Sequence, residues 1–484
     1  MLSQVLLAPL FAKRASAFTS DSFAPPAECP TCLSANYTGM PNGSLPLSPW
    51  VSGAAYDQII TIWLENTDFA AAAASSTFQK LAAEGILLTN YNGVTHPSEP
   101  NYLAAVGGDF WGIGDDEFYA IPSNASTVVD LLEAKNVSWA TYQESMPTDG
   151  DGEFAYYSHN YLNASAPDYR YYVRKHNPFV IYNSIASIPD RALRIRNFND
   201  FAVDVNASAL PQYVWITPNL VNDAHDTDVT FVSAWLEYWL VPLLQNPKFN
   251  TNKTLIQVTF DENESYTIQN TVYTVLLGGA VPSNLKGTND STFYTHYSLL
   301  SSVQNNWDLG NLGRQDTNAT VAAVFDFQAN ITKYQNTKPS SDPMMNLTGI
   351  FPGPGNTEIW TPVLAPNTSA KGAGSGKTYY NASVIDLTLT SYTHLNLTAM
   401  NAVNPDTINP NYTYNEAAIA NATNKPTSVP VYIAPSTTSG SPSGTASGSK
   451  SASSAATTSG GAVKLATGAG GSLAVIAAGI IALL

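Results

Sequence analysis

The chain has 484 residues, 44% of them hydrophobic, and a formal net charge of −16. That length suits one large domain with extensions or roughly two or three domains, and the apolar content supplies a sizeable core. The acidic balance, with a pI near 4.6, argues against nucleic acid as a partner, because binding phosphate backbone needs basic surface; it suits a soluble protein in an acidic medium.

Residues 1–17 carry an apolar stretch from Val5 to Ala12 and end Ala15-Ser16-Ala17, a small-residue cleavage pattern that reads as a signal peptide, although Lys13 and Arg14 interrupt it. Roughly seventeen N-x-S/T sequons from Asn36 to Asn421 fit a secreted chain with N-linked glycans. The two cysteines, Cys29 and Cys32, form a C-x-x-C. In a cytosolic protein that spacing serves redox chemistry or half a zinc site; in a secreted one it reads as a local disulfide.

Short β-branched and aromatic runs then alternate with helical stretches. Gln58–Leu64, Tyr213–Thr217, Leu255–Phe260 and Val272–Leu277 read as buried parallel strands. Phe69–Ala83, Thr127–Lys135, Phe231–Leu244 and Tyr297–Trp307 read as helices. Alternation of this kind implies an α/β fold with a mostly parallel central sheet flanked by helices. Ligands bind beyond the carboxyl ends of such strands. The first run ends at Glu65-Asn66, the second leads to His225-Asp226 and the third ends at Asp261-Glu262, whereas the fourth ends in Gly278-Gly279.

Glu65, Asn66, Asp261 and Glu262 are hard oxygen donors suited to a divalent cation. Each pair has a plainer explanation as a strand end, a helix cap or a turn. Asn263 is itself a sequon, which places part of its loop near solvent. The segment THPSEPNYLA (95–104) puts Ser98 at a helix N-terminus, where free N–H groups and the dipole favour an anion. A serine there can also be only an N-cap. His225 and His296 suit acid chemistry near or below neutral pH. His176 lies in a small basic cluster, Arg174-Lys175-His176, that could hold an anionic substrate or balance nearby carboxylates. His96 adjoins Ser98.

Residues 336–426 are polar and sequon-rich, read as a glycosylated extension of a catalytic domain spanning 18–335. Residues 427–461 form a Ser/Thr/Gly-rich stalk that cannot bury a core. Small residues at Ser459, Gly460 and Gly461, a spacer and the short apolar end Leu473–Leu484 make 462–484 a GPI-attachment signal, with Ser459 as the attachment residue. The apolar end is short for a spanning anchor.

The segments WLENTDF (63–69), THPSEPNYLAAVGGD (95–109), RKHNPFVIYNSI (174–185), ITPNLVNDAHD (216–226), VTFDENE (258–264) and HYSLLSSVQNNWDLGNLGR (296–314) together resemble the phosphoesterase family of acid phosphatases and phospholipases C. Within it they are similar to the fungal phosphate-repressible, GPI-linked acid phosphatases. The resemblance implies an alkaline-phosphatase-like sandwich. It implies a metal site of Glu65, Asn66, Ser98, Asp261 and Glu262, holding one divalent ion because the longer histidine sets of two-zinc relatives are missing. Ser98 is then the nucleophile, with His225 or His296 as general acid. Asn101 is then a contact to the phosphoryl oxygens, and His225 and His296 with Asp226 form the second side of the phosphate pocket; His176 and His96 are further substrate-binding candidates from their positions alone. Small phosphorylated molecules are the implied substrates, and a GPI lipid the one membrane attachment.

Other mechanisms fit less well. No Arg-His-Gly triplet is present for a phosphohistidine route. The D-x-D-x-T spacing at Asp226–Thr230 stands away from its strand, so an aspartyl-phosphate route lacks context. A phosphodiesterase and a non-catalytic wall glycoprotein remain as alternatives to a cell-surface phosphomonoesterase.

Overall fold

A computed structural model describes residues 23–343, 345, 351–356 and 361–391. The expected signal segment 1–17, the stalk, the attachment signal with Ser459 and the sequons at Asn346, Asn396, Asn411 and Asn421 lie outside the described residues.

Among the described residues eleven strands form in chain order: β1 (Gln58–Leu64), β2 (Ile86–Asn92), β3 (Trp139–Gln143), β4 (Ala155–Ser158), β5 (Tyr169–Val173), β6 (Ile195–Asn197), β7 (Tyr213–Thr217), β8 (Thr254–Phe260), β9 (Thr271–Leu277), β10 (Thr288–Asp290) and β11 (Tyr294–Thr295). Strands β4 and β5 pair as a separate antiparallel ribbon. The others build one sheet in the order β10-β2-β9-β8-β1-β7-β3-β6, with β11 also on β2. Every residue of β1, β7 and β8 is buried. That is why these strands read as continuous apolar runs rather than alternating ones, as expected of parallel strands covered on both faces. The architecture is α/β with a mostly parallel sheet flanked by helices.

One expected parallel strand runs the other way. Strand β9 is antiparallel to both neighbours, β8 and β2. The connection from Phe260 to Thr271 is too short for the helical crossover that a parallel return needs. Gly278-Gly279 therefore lies at the far edge of the sheet, which explains why this strand delivers no reactive side chain. The expected helix Phe69–Ala83 is broken by extended backbone at Ser75 into Phe69–Ala74 and Ser76–Ala83. The helix Val229–Leu244 starts earlier than its apolar run because Asp228 caps it, accepting from the N–H groups of Thr230 and Phe231.

The register decides what meets at the carboxyl edge. Leu64 pairs with Phe260 and Ile62 with Ile216, so Glu65, Asp261 and the loop after β7 emerge side by side. Beneath them Trp63 stacks on Trp215 with ring centroids 4.5 Å apart and touches Tyr102 at 5.0 Å. Residues 361–391 bond to the same body: Tyr379 N–H donates to Asn311 O (2.7 Å) and Asn367 N–H to Gly313 O (2.9 Å). Among the described residues no helix is long and apolar enough to cross a membrane.

Candidate active site

Ser98 is the first residue of the helix Ser98–Gly107, which follows a cis His96–Pro97 peptide. It is 1% exposed. Its Oγ donates to Glu65 Oε2 at 2.9 Å and lies 3.4 Å from Glu262 Oε1. Tyr102, one helical turn later on the same face, donates its hydroxyl to the other oxygen of Glu65. Asn66 has φ +43°, a left-handed conformation that asparagine tolerates better than most residues. Its N–H reaches Asp261 Oδ1 at 3.3 Å. The edge thus gathers Glu65, Asn66, Ser98, Asp261 and Glu262.

A second group faces Glu65 from the loops after β5 and β7. His176 Nε2 is 3.3 Å from Glu65 Oε1, and its Nδ1 is 3.5 Å from Asp223 Oδ2. His225 places Nδ1 2.8 Å from Asp226 Oδ1 and Nε2 3.2 Å from Lys175 Nζ. Lysine can only donate, so His225 Nε2 accepts and Nδ1–H donates to Asp226. Asp226 also accepts from the Tyr169 hydroxyl at 2.5 Å. Ligand atoms of Glu65, His176 and His225 lie within 4.8 Å of one another. His176 is thus placed beside metal-type donors rather than on the substrate side alone.

Burial dominates the electrostatics. It pushes Glu65, Asp223 and Glu262 well above the ordinary carboxylate range, with neighbouring acids adding to the effect, and it raises Asp261 to about 7. Burial pushes His176 well down and lowers His225, Lys175 reinforcing both shifts. Lys175 itself is pulled down by burial, but Asp116 and Glu65 more than offset that and hold its ammonium above the usual lysine value. Asp226 is pushed up by burial, yet His225, the Tyr169 hydroxyl and the Arg170 charge together outweigh this and leave it below its usual value.

Three expected roles change. Asn101 does not reach into the pocket: Oδ1 accepts from the N–H groups of Val94 (2.7 Å) and Thr95 (3.1 Å), and Nδ2 donates to Thr95 O and Pro97 O. Its carboxamide is saturated by the turn that carries Ser98. His296 is fully buried against Trp63 and Tyr91, and its Nε2 donates to the Asp261 backbone carbonyl at 2.5 Å. It props the metal-type loop from beneath and is not placed as an acid. Asn263 is 1% exposed, its amide donating to Ser265 O at 3.0 Å, so its sequon is not turned to solvent. His96 lies beside the nucleophile, with Nδ1 2.5 Å from Glu262 Oε2 and its ring stacked on Tyr266. Cys29 and Cys32 are joined by a disulfide.

Sequence reasoning left out Tyr102, Asp116, Lys175 as an individual residue, and Asp223. Tyr102 was legible as the helical neighbour of Ser98, and Asp223 lies two residues from His225. Asp116 comes from a loop without a motif.

The Phosphoesterase family profile matches residues 67–310. The acid phosphatase of Aspergillus fumigatus is 46% identical over 333 residues, covering 67% of this chain and 72% of the relative. The phosphate-repressible acid phosphatase of Penicillium chrysogenum is 45% identical over 338 residues, 69% and 79% of the two chains. The chain belongs to the Phosphoesterase family. A more distant relative, the phosphatidylinositol-3-phosphatase of Mycobacterium tuberculosis, is 29% identical over 239 residues, 48% of this chain and 70% of that one. Among solved structures, the phosphonate monoester hydrolase of Silicibacter pomeroyi aligns with a TM-score of 0.35 at 10% identity, over 58% of this chain and 77% of that one.

Proposed function

We propose that this protein is an acid phosphatase that converts phosphomonoesters to phosphate and alcohol through a phosphoserine at Ser98, in a site that holds one divalent metal ion. The hydrolase class, acting on phosphoric monoesters, follows from family membership and from relatives named acid phosphatase at 44–46% identity. The finer chemistry rests on one observation: a buried serine at a helix N-terminus whose hydroxyl donates to Glu65 at 2.9 Å.

The residues fit a metal. Asn66 Oδ1 and Asp261 Oδ2 are buried and accept no hydrogen bond, and buried carboxylates surround them. Glu65, Asn66, Ser98, Asp261 and Glu262 would hold the ion, with His176 as a further donor near Glu65. When bound, it would ease deprotonation of serine and neutralise charge on the phosphoryl group. The protein's own residues supply the rest. Ser98 Oγ loses its proton to Glu65 or Glu262 and attacks phosphorus in line, forming the Oγ–P bond as the bond to the leaving oxygen breaks. In the acidic medium His225 takes up a proton at Nε2 in place of the Lys175 hydrogen bond there and, oriented by Asp226, delivers it to the leaving alcohol. Water then attacks the phosphoserine, its proton returning to His225, and phosphate leaves as Ser98 regains its own.

The test is phosphate release from p-nitrophenyl phosphate in mildly acidic buffer. Ser98→Ala should lose at least about 10³-fold in turnover, and a chelator should abolish release in the wild type. Activity of Ser98→Ala within a few-fold of wild type would remove Ser98 as the nucleophile. Export to the cell surface, N-glycans and a GPI lipid are proposed alongside, on the sequence signals at the two ends and the scattered sequons. Release of intact cell-bound protein by a phosphatidylinositol-specific phospholipase checks the anchor.

A further inference from the structure

We propose that Lys175 is the residue that makes this site select phosphomonoester dianions over phosphodiester monoanions, its ammonium contacting the non-bridging oxygen that a diester replaces with its second ester arm. The inference rests on the phosphatase assignment above and goes beyond it to substrate class.

The geometry begins with an ammonium that has three N–H donors. Two are placed: Asp116 Oδ2 accepts at 2.7 Å and His225 Nε2 at 3.2 Å. The third has no acceptor among the described residues, and the Lys175 side chain keeps 16% of its surface accessible to a ligand. Asp116 is tied down in turn, its other oxygen accepting from the Glu99 N–H at 3.0 Å on the nucleophile's own helix. One carboxylate therefore ties Lys175 to the backbone of Glu99, the residue after Ser98.

Charge gives the placement its consequence. Lys175 acts electrostatically on Glu65, Asp223, Asp261 and Glu262, the four buried acids around the serine. A phosphate dianion entering that ring meets repulsion that one bound cation relieves only in part. A second, protein-borne cation matters most for the ligand with the greater charge. A diester brings one charge fewer and puts an alkoxy group where the third oxygen would meet the ammonium. Removing Lys175 should therefore harm monoester recognition more than diester recognition. A lysine that only neutralised the acid ring would affect both alike.

The experiment uses the full-length metal-loaded enzyme, with kcat/KM measured on p-nitrophenyl phosphate and on bis(p-nitrophenyl) phosphate. Binding of inorganic phosphate is measured separately by calorimetry. Lys175→Met should lose about 10- to 100-fold on the monoester, the range for one charge-assisted hydrogen bond, and only a few-fold on the diester. Phosphate binding should weaken by a similar factor, and Lys175→Arg should recover most of both. Equal losses on the two esters with unchanged phosphate affinity would overturn the proposal and leave Lys175 a prop for Asp116 and His225. If Lys175→Met does not fold, Lys175→Arg and Asp116→Asn carry the test: the monoester-to-diester ratio must shift in Asp116→Asn, whose lysine has lost its tether, and not in Lys175→Arg. Wild-type enzyme that binds phosphate but cleaves neither ester would instead refute the phosphatase assignment and leave the Lys175 binding comparison to be judged by itself.

Discussion

Replacing Asn101 by alanine separates the role seen in the structure from the phosphate contact expected from sequence. Its carboxamide makes four hydrogen bonds to the loop at 94–97. Thr95 O keeps a donor in the variant, because Asn270 Nδ2 also reaches it at 2.9 Å. The N–H groups of Val94 and Thr95 lose the Asn101 acceptor, at residues only 1% and 4% exposed. An orphaned buried group costs about 1–3 kcal/mol, so the Val94 N–H sets a loss of about 2 kcal/mol. At about 2–4 °C per kcal/mol for a domain of this order of size, the melting temperature should fall by roughly 4–8 °C. Turnover should fall too, since the helix that starts at Ser98 is anchored by the same bonds, while KM should stay within a few-fold. Thermal melts and saturation kinetics on p-nitrophenyl phosphate read all three quantities. A melting temperature within about 2 °C of wild type, together with a tenfold rise in KM, would refute the positioning role and restore Asn101 as a phosphate ligand.

His296→Gln, which can still donate to the Asp261 carbonyl, should retain far more activity than His296→Leu; equal and near-total loss in both would reinstate His296 as an acid. The pH dependence of stability follows chiefly from two carboxyl groups away from the nucleophile. Burial raises Glu144 to about 7 and Asp149 to about 8, the latter helped by Asp200. Both stand above their unfolded values, so their stabilisation is complete at low pH and is lost as pH rises through the folded values. Burial lowers His96 and His296 to about 4; these oppose the trend only up to their unfolded value of about 6.5. Chelated protein should therefore show a falling melting temperature from about pH 6.5 to 8, and a flat or rising profile would contradict the burial argument. Asn263 should carry no glycan in secreted protein, and a glycopeptide at that position by mass spectrometry would mean that its loop opens before folding completes.

The strands that carry the site were legible because burial on both faces leaves an unbroken apolar signature: Gln58–Leu64 and Tyr213–Thr217 coincide with β1 and β7. Chemistry-bearing residues at their ends were legible for the same reason, since polar side chains after such strands stand out. The direction of β9 was not, because strand composition is the same whichever way the strand runs and only the short 261–270 connection decides it. The residue types that can perform phosphoryl transfer, and the strand ends that present them, were thus determined by local sequence. Which of those residues face one another was decided by tertiary structure. Asn101 and Tyr102 are adjacent in one motif, yet the helix turns one into the supporting loop and the other toward Glu65. Lys175 and Asp116 meet across 59 residues of chain. Side-chain direction and long-range register are set by packing of the whole sheet, and no window of sequence contains that information.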